Sequence, residues 1–380
     1  MTKPIIALLY DFDKTLCTTD MEDYAFIPAL GYTPAEFWHK ANTFGRENRM
    51  DGLLAYMYTM IVECRAQGKD LKRDFLVACG RSMELFPGVR EWFQRINAFG
   101  EQQGVTIEHY VLSSGLKEII EGSGIAHEFK QIYACEFYYD EAGAACWPKL
   151  DVNFTNKTQF VYRINKGVLD VSNDRDLNAS MPDDSKRVPF TNMIYIGDSD
   201  TDIPCMKLVN SYGGHSIGVY NAETRDKSKV YKMMREGRIR YFAPADYSEG
   251  TQLDELVKAI IDRTATNERL EGIHFRCKKE NIEADKQNSA EELEKTDSLI
   301  SLENSRSFTR THEVIKKLSR YNTWSPAELS LLFRIAANNS QVRYIIRDTD
   351  VKLFYSQLLG KVKKETEEVK IIRELLENEE

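Results

Sequence analysis

The sequence predicts an α/β protein with a doubly wound parallel sheet. Three apolar runs that favour β-structure each stop abruptly at small or acidic residues: Ile5–Tyr10, "HYVLSSG" from His109 and "MIYIGDSDTD" from Met193. Runs without polar alternation are typical of strands that are buried on both faces of a parallel sheet. Ligands of such sheets bind at the carboxyl ends of the strands, so we expect the three polar clusters to converge on one crevice of a Rossmann-like fold.

Composition indicates a globular protein and disfavours general binding to nucleic acid or membranes. The 380 residues are enough for two or three domains, and 59 acidic against 51 basic residues give a net charge of -8. A negative surface repels nucleic acid and acidic membranes, so we expect neither as a general partner. No run approaches the roughly 20 apolar residues of a spanning helix, and the first apolar run ends too early for a signal peptide. Seven cysteines without a Cys-x-x-Cys pair favour reduced thiols, so we expect a cytoplasmic protein.

A helical insertion is predicted between the first and second strands. Thr33 has the features of an N-cap, with Pro34 at the first helical position and Glu36 three residues after the cap. Further apolar residues recur at helical spacing: Leu54, Tyr58, Ile61 and Val62. "FPGV" at Phe86 marks the return to the sheet. We therefore predict a helical cap over residues 19–86, inserted into an α/β core of residues 1–18 and 87–263.

A separate helical region is predicted at the C-terminal end. "HSIGVYN" from His215 and "LDELVKAIIDR" from Leu253 complete the core as a strand and a helix. Residues 264–305 are dense in charge, which predicts a linker or a solvated helix. Ser325 begins a second capping-box pattern, so residues 306–380 are predicted to form a helical domain. Its last apolar positions fit a weak coiled coil or, as we favour, a helix that packs on its own chain: Val362, Val369, Ile372 and Leu376.

The first polar cluster contains two carboxylates, Asp11 and Asp13. Side chains two residues apart on an extended strand point to the same side, so both can face one site. Two ionised carboxylates in one pocket need a cation between them or a proton on one of them. A divalent ion such as Mg²⁺ also bridges phosphate oxygens, and a protonated carboxyl can protonate a leaving group. The pair favours phosphoryl transfer, although an isolated Asp-x-Asp is more often a turn or a helix cap.

Four motifs in order resemble the haloacid dehalogenase superfamily, specifically its phosphoserine-phosphatase-like phosphatases with a helical cap. They are "DFDKT", "LSSG", a lysine ahead of the third strand, and "GDSDTD", within about residues 5–262. The resemblance implies that Asp11 is a nucleophile that forms an aspartyl-phosphate. Asp13 would protonate the leaving oxygen and then activate water, and Thr15 would stabilise the loop.

The resemblance also assigns the phosphate contacts. Ser113 would donate its hydroxyl to a phosphoryl oxygen, as would the main-chain N–H groups near Ser114 and Gly115. A lysine would offset the charge of phosphate and nucleophile. Lys157 is favoured over Lys166, because Lys157 begins the helical pattern and Lys166 precedes a glycine at its end.

A magnesium site is implied by the same resemblance. Asp198 would bind Mg²⁺ together with the Asp11 carboxylate and the Asp13 main-chain carbonyl, and Asp202 would support these ligands from behind them. Asp200 does not fit the Gly-Asp-x-x-x-Asp spacing and is predicted to be a solvated loop residue. The dehalogenases that named the superfamily need neither a proton donor at the second aspartate nor Mg²⁺. The residues present here therefore favour phosphate chemistry.

Substrate specificity is the least determined part of the prediction. Cap residues that would contact substrate are Asp20 and Glu22, which could hold an amine, and Arg46 and Arg49, which could hold a carboxylate or second phosphate. A phosphatase acting on a small metabolite is the leading function. A phosphatase acting on a nucleic-acid end or a protein, recruited by residues 306–380, and a non-catalytic interaction protein remain open. We expect the helical domain to serve a protein partner or self-association, and not the phosphoryl-transfer step.

Overall fold

A computed structural model describes residues 3–181, 186–224, 226–284, 290–362 and 365–377. It divides into two compact units. Unit 1 comprises Met1–Asn173 and Arg187–Glu268, and unit 2 comprises Asp174–Lys186 and Arg269–Glu380. None of the helices in the described ranges is long and apolar enough to cross a membrane.

Unit 1 contains a seven-stranded sheet. Its strands are β1 (Ile5–Tyr10), β2 (Thr106–Leu116), β3 (Gln131–Tyr139), β4 (Ala145–Leu150), β5 (Met193–Gly197), β6 (His215–Tyr220) and β7 (Tyr241–Pro244). Their order is β4-β3-β2-β1-β5-β6-β7, and every pair is parallel except β3 with β4. β1 lies between β2 and β5, so the three strands that end in polar clusters are neighbours. The predicted doubly wound α/β fold is confirmed.

Helices of unit 1 cover the sheet and form the insertion after β1. In chain order they are α1 (Met21–Tyr24), α2 (Phe26–Ala29), α3 (Pro34–Asn48), α4 (Gly52–Ala66), α5 (Arg73–Gly80), α6 (Val89–Gln102), α7 (Lys117–Gly122), α8 (Lys157–Lys166), α9 (Asp174–Asn178, in unit 2), α10 (Ile203–Ser211), α11 (Ser228–Arg235) and α12 (Gln252–Ala284, shared with unit 2). The cap helices are α1–α5. The capping box at Thr33 and Glu36 is present as predicted.

The buried face of α4 differs from the apolar spacing noted in the sequence. Tyr58 is 49% exposed, whereas Tyr56, Met57 and Met60 are buried. Helix α4 is apolar on nearly every side, so spacing alone cannot choose which face packs inward. This difference matters because Tyr56 reaches the candidate site.

A buried chain of hydrogen bonds crosses the core beside β1. Trp92 Nε1 donates to the Tyr10 hydroxyl (2.8 Å), and that hydroxyl donates to His109 Nδ1 (3.0 Å). His109 Nε2 in turn donates to Asn97 Oδ1 (3.0 Å). Burial lowers the pKa of His109 to about 3, so the imidazole is neutral in the folded protein.

We expect His109→Gln to reduce the loss of stability in mild acid. A histidine in the unfolded chain has a pKa of about 6.5. Between that pH and the folded pKa, the unfolded chain therefore binds one proton more than the folded protein. Acidification from about pH 7.5 to about pH 5 should therefore cost the wild type about 2 kcal/mol more than the variant. Urea unfolding at both pH values measures this difference. His127→Gln, at an exposed histidine, is the control, and an equal pH effect in wild type and His109→Gln would contradict the expectation.

Unit 2 is helical and has its own hydrophobic core. Beyond α9 and the end of α12 it contains α13 (Ala290–Glu303), α14 (Phe308–Leu318), α15 (Pro326–Asn338), α16 (Ser340–Tyr344), α17 (Thr349–Leu359) and α18 (Glu367–Glu377). The capping box at Ser325 and Glu328 begins α15 as predicted. Helix α18 buries Val369, Ile372 and Leu376 in this core, which is the packing on its own chain that the sequence favoured.

The division between the units differs from the predicted ranges. Helix α12 continues through Arg263 without a break, and α13 buries Leu299 and Leu302 in the core of unit 2. Much of the predicted linker over 264–305 therefore belongs to a packed domain. Residues 174–186, which fall within the predicted core range, also belong to unit 2.

Hydrogen bonds of two arginines fix the chain of unit 1 on either side of this segment. The Arg163 guanidinium, on α8, donates to the carbonyl oxygens of Asp170 and Val171. After the segment, Arg187 donates from both terminal nitrogens to Glu108 of β2. These contacts fix the chain before and after the segment of unit 2 that the sequence pattern did not reveal.

Candidate active site

Asp11 immediately follows β1 and is joined to a buried lysine. Its main-chain N–H donates to Ile196 O (2.9 Å), which fixes the start of the loop against β5. Lys157, the first residue of α8, is fully buried and places Nζ 2.8 Å from Asp11 Oδ1 and 2.7 Å from Asp202 Oδ1. Lys166 lies nine residues further along the chain, at the other end of the same helix. The structure thus brings Lys157 to the strand-end acids and leaves Lys166 away from them.

Asp202 is held by donors from several directions. Besides Lys157, its Oδ1 accepts from the Tyr195 hydroxyl (2.9 Å), and its Oδ2 accepts from Ser199 N and Oγ (both 3.1 Å). A Cβ at Gly197 would lie 2.4 Å from Asp202 Oδ2, so only glycine leaves room for this carboxylate. Because its oxygens already accept these protein donors, Asp202 is built to orient Lys157 and the loop.

Three carboxylates form a group that is suited to a cation. One ligand oxygen from each of Asp11, Asp198 and Asp202 lies within 4.8 Å of the other two. Burial, followed by repulsion from Asp202, raises the pKa of Asp11 to about 7, and burial, with repulsion from Asp202, raises that of Asp198 to about 6. When all three carboxylates are ionised, their negative charge therefore exceeds the positive charge of Lys157 and Lys229.

The chemistry of this donor set fits Mg²⁺, which prefers oxygen ligands. Asp11 and Asp198 would hold the ion, and the only hydrogen bond described for the Asp198 side chain comes from Lys229 Nζ at 3.2 Å. The Lys229 side chain is 43% exposed, and its ammonium lies where a positive charge is favoured. Asp200 is exposed, as predicted. The Asp13 side chain is not part of this group of carboxylates, and the contact of its main-chain oxygen with a metal stays a prediction.

Asp13 is held on the cap side of the loop. Its Oδ1 accepts from Met21 N (2.8 Å), at the start of α1. Burial, with repulsion from Glu22, Asp20 and Asp11, raises the pKa of Asp13 well above its ordinary value. A raised pKa favours the protonated form of this carboxyl, which suits a general acid.

The end of β2 supplies the hydroxyl and amide groups of the predicted phosphate loop. Ser113 is buried, and its Oγ accepts from Gly115 N (3.0 Å), so the Ser113 hydroxyl proton can be donated elsewhere. The Gly115 N–H is thereby used inside the loop. Ser114 Oγ donates to Val152 O (2.8 Å). Thr15 is buried, and its carbonyl oxygen accepts from Tyr247.

The cap residues proposed for substrate contact separate into two groups. Glu22 is 2% exposed, its Oε1 has no partner among the described residues, and burial raises its pKa to about 8. Asp20 pairs with Lys14 at 2.5 Å, beside the same loop. Arg46 and Arg49 are exposed at the end of α3, and the one hydrogen bond described for the Arg46 side chain stays within that helix. The structure brings the two acids to Asp13 and does not bring the two arginines there.

Several residues that shape the site carry no signal in the sequence: Tyr195, Lys229, Met21, Tyr56 and Tyr247. Tyr195 lies in a fully buried strand, where an aromatic residue is expected without any polar role. Lys229 comes from α11, some thirty residues after Asp198 in the chain. Neither has a motif, because their positions depend on long-range packing.

Comparison with known proteins identifies the family. The chain belongs to the haloacid dehalogenase-like hydrolases, whose family model matches residues 8–207. An uncharacterized protein of Borreliella burgdorferi is 27% identical over 281 residues, which cover 66% of this chain and 94% of that protein.

Solved structures show weaker similarity. A HAD family hydrolase from Salmonella enterica subsp. enterica serovar Typhi has a TM-score of 0.44 at 14% identity and covers 68% of this chain and 72% of its own. A phospho-aspartyl intermediate analogue of phosphoserine phosphatase has a TM-score of 0.41 at 14% identity. The match covers 68% of this chain and 99% of that chain. The family assignment therefore depends on the family match.

We expect Lys157→Met to destabilise the protein by about 3–5 kcal/mol at neutral pH, because it leaves buried carboxylates without their counter-charge. Protonation of those carboxyls relieves the repulsion, so the destabilisation should shrink at about pH 5. Urea unfolding at both pH values measures it. Lys166→Met, on the same helix, is the matched control. A loss of stability that is the same at both pH values, or equal in the two variants, would contradict the role given to Lys157.

Proposed function

We propose that the protein is a Mg²⁺-dependent phosphatase that hydrolyses a phosphomonoester of a small metabolite through an aspartyl-phosphate on Asp11. The observation that carries the proposal is the buried Lys157 ammonium held between Asp11 and Asp202, beside Asp198. A nucleophile, a fixed positive charge and a set of metal ligands then lie at one edge of the sheet. Membership of a hydrolase family supports the same class of reaction.

The first chemical step would transfer the phosphoryl group to the protein. A carboxylate oxygen of Asp11 attacks phosphorus, and the bond from phosphorus to the substrate oxygen breaks. The Asp13 proton moves to that leaving oxygen, which departs as an alcohol. The raised pKa of Asp13 supports this assignment, because burial and the neighbouring acids favour its protonated form.

The second step would release phosphate and restore the site. Asp13, now ionised, takes a proton from water as the water oxygen attacks phosphorus. The bond between phosphorus and Asp11 breaks, which regenerates the Asp11 carboxylate and the protonated Asp13. The Ser113 hydroxyl and Lys157 would contact the phosphoryl oxygens, and bound Mg²⁺ would supply positive charge to them.

The acidic base of the cap favours a substrate that carries a positive or hydrogen-bond-donating group. Glu22 offers a buried oxygen without a described partner, and Asp20 lies beside it in the chain. Burial, together with repulsion from neighbouring acids, raises the pKa values of Asp13 and Glu22, and an amine on the substrate would offset that repulsion. Arg46 and Arg49 carry no part of this proposal, because both are exposed at the end of α3.

A macromolecular substrate is a second candidate. Unit 2 has its own hydrophobic core, while the proposed chemistry uses residues of unit 1 alone. Because the proposed chemistry does not use unit 2, this unit is a reason to test whether the protein recruits a protein or a nucleic-acid end. Self-association through unit 2 would be visible as a change in solution mass.

A phosphate-release screen tests both candidates. The purified full-length protein would be assayed with Mg²⁺ against small phosphomonoesters, with and without an amino group, and against phosphorylated oligonucleotides and phosphopeptides. We expect amine-bearing small substrates to have the highest kcat/KM. Preference for an oligonucleotide or peptide would favour the second candidate, and no release from any substrate would contradict a phosphatase.

A further inference from the structure

The cap helix α4 makes one hydrogen bond to the predicted phosphate loop. The Tyr56 hydroxyl donates to Ser114 O at 3.1 Å. Tyr56 is 4% exposed, and its ring packs edge-on against Trp38 of α3 at 5.6 Å between centroids. Cys135 Sγ, from β3, donates to the same carbonyl oxygen at 3.3 Å. One carbonyl of the core is therefore held by a donor from the cap and a donor from the sheet.

That carbonyl belongs to the peptide unit that sets the Ser113 hydroxyl. Ser114 O and Gly115 N are the two ends of one planar peptide, so fixing the oxygen fixes the direction of the N–H. Gly115 N donates to Ser113 Oγ at 3.0 Å, and this occupies a lone pair of the hydroxyl. The Ser113 O–H is then free to point at a phosphoryl oxygen. A rotation of this peptide would withdraw the N–H and let the hydroxyl turn.

The cap touches the same loop at a second point. Met21, at the start of α1, donates its N–H to Asp13, and its Sδ lies 3.1 Å from Leu116 N. A Cβ at Gly115 would come within 2.2 Å of the Met21 side chain, so cap and loop are in close contact there. The cap therefore fixes both the proposed proton donor and the phosphate loop.

We propose that Tyr56 is a positioning residue that couples the seating of the cap on the core to the orientation of the Ser113 hydroxyl. The inference rests on the proposed phosphatase function and adds a residue that acts through the Ser114–Gly115 peptide. When α4 lies against the core, the Tyr56 hydroxyl locks this peptide and Ser113 is set for phosphate. When α4 moves away, the hydrogen bond from Tyr56 to Ser114 O is lost and the loop binds phosphate poorly.

Tyr56→Phe tests the proposal, because it removes only the hydroxyl oxygen. In the full-length protein we expect kcat for para-nitrophenyl phosphate to fall about tenfold and the inhibition constant for inorganic phosphate to rise several-fold. The matched control is Tyr58→Phe, two residues along the same helix, where the side chain is 49% exposed and stacks on Phe44. This control should keep wild-type kcat and phosphate inhibition.

Cys135→Ala provides a second variant that acts on the same carbonyl from the other side. We expect a smaller change in the same direction. In the double variant the two effects should not simply multiply, because both donors act through the single Ser114 oxygen. Thermal unfolding of each variant identifies the temperature at which all of them are folded, and the kinetics are compared there.

A purely structural Tyr56 would give a different pattern. Tyr56→Phe would then lower the unfolding midpoint while kcat and the phosphate inhibition constant stayed at wild-type values, and that result would overturn the inference. Wild-type protein without turnover would overturn the proposed function and this inference with it. Turnover in the wild type with equal constants in Tyr56→Phe would overturn the inference alone.

Discussion

Asp11→Asn should lower phosphomonoester hydrolysis by several orders of magnitude, the largest effect that we expect from a single substitution. Asparagine keeps the shape of the side chain at the end of β1, but its amide is not a nucleophile and carries no charge for Mg²⁺ or Lys157. Initial rates of phosphate release with the best substrate of the screen measure the loss. Circular dichroism and the unfolding midpoint establish that the variant is folded.

Asp200→Asn is the matched control for this experiment. It makes the same change in an exposed residue of the loop that carries Asp198 and Asp202. We expect it to retain near wild-type turnover. If Asp11→Asn turned over substrate at a similar rate to Asp200→Asn, the assignment of Asp11 as nucleophile would be wrong.

Removal of Mg²⁺ should abolish turnover, and Asp198→Asn should reproduce that loss by weakening the ion's binding. Asp198 carries one described hydrogen bond, from Lys229, and burial raises its pKa to about 6, so a cation gains a favourable ligand there. A chelator should stop phosphate release, Mg²⁺ should restore it, and Ca²⁺ should restore it poorly because it prefers longer bonds and more ligands.

Titration calorimetry separates binding of the ion from its effect on rate. The wild type should bind Mg²⁺ and Asp198→Asn should bind it at least tenfold more weakly, with Asp200→Asn again unchanged. Affinity in the wild type should fall as the pH drops through about 6, because Asp11 and Asp198 then hold protons. Full activity in excess chelator would point to the metal-free chemistry of the dehalogenases.

The fold was predictable where local chemistry determines it. Abrupt polar ends on three apolar runs placed β1, β2 and β5 side by side, and two capping boxes located the starts of α3 and α15. The boundary near Arg263 was not predictable, because α12 continues through it with no cap or breaker. The assignment of Asp174–Lys186 to unit 2 was not predictable either, because the rest of that unit begins at Arg269, far along the chain.

The residues of the candidate site were also predictable only in part. Asp11, Asp13, Ser113, Asp198 and Asp202 were predicted because they lie in strand-end motifs that resemble those of the superfamily, and Lys157 because it begins a helical pattern where the family has its lysine. Tyr56 and Tyr195 look like ordinary core residues in the sequence, since their hydroxyl partners come from other elements. Charged cap residues could not be ranked either, because helical spacing does not reveal that Glu22 is buried while Arg46 is exposed.

The division into units also changes how the role of unit 2 can be tested. A truncation after Arg263 would cut through α12 and leave residues 174–186 without the helices that complete their unit. Loss of activity in such a protein would not separate a catalytic role from misfolding. Substitutions in exposed residues of unit 2, read out by solution mass and by turnover of a small substrate, avoid that ambiguity.

The central claim is a covalent phosphoryl group on Asp11, and mass spectrometry of an acid-quenched Asp13→Asn variant tests it most directly. Para-nitrophenol leaves without a proton, so the variant should still form the aspartyl-phosphate from para-nitrophenyl phosphate, while the loss of the base slows its hydrolysis. The account predicts a burst of nitrophenol and a peptide containing Asp11 that is heavier by one phosphoryl group. A burst or steady release of nitrophenol with that peptide unmodified would show direct attack by water and contradict the account.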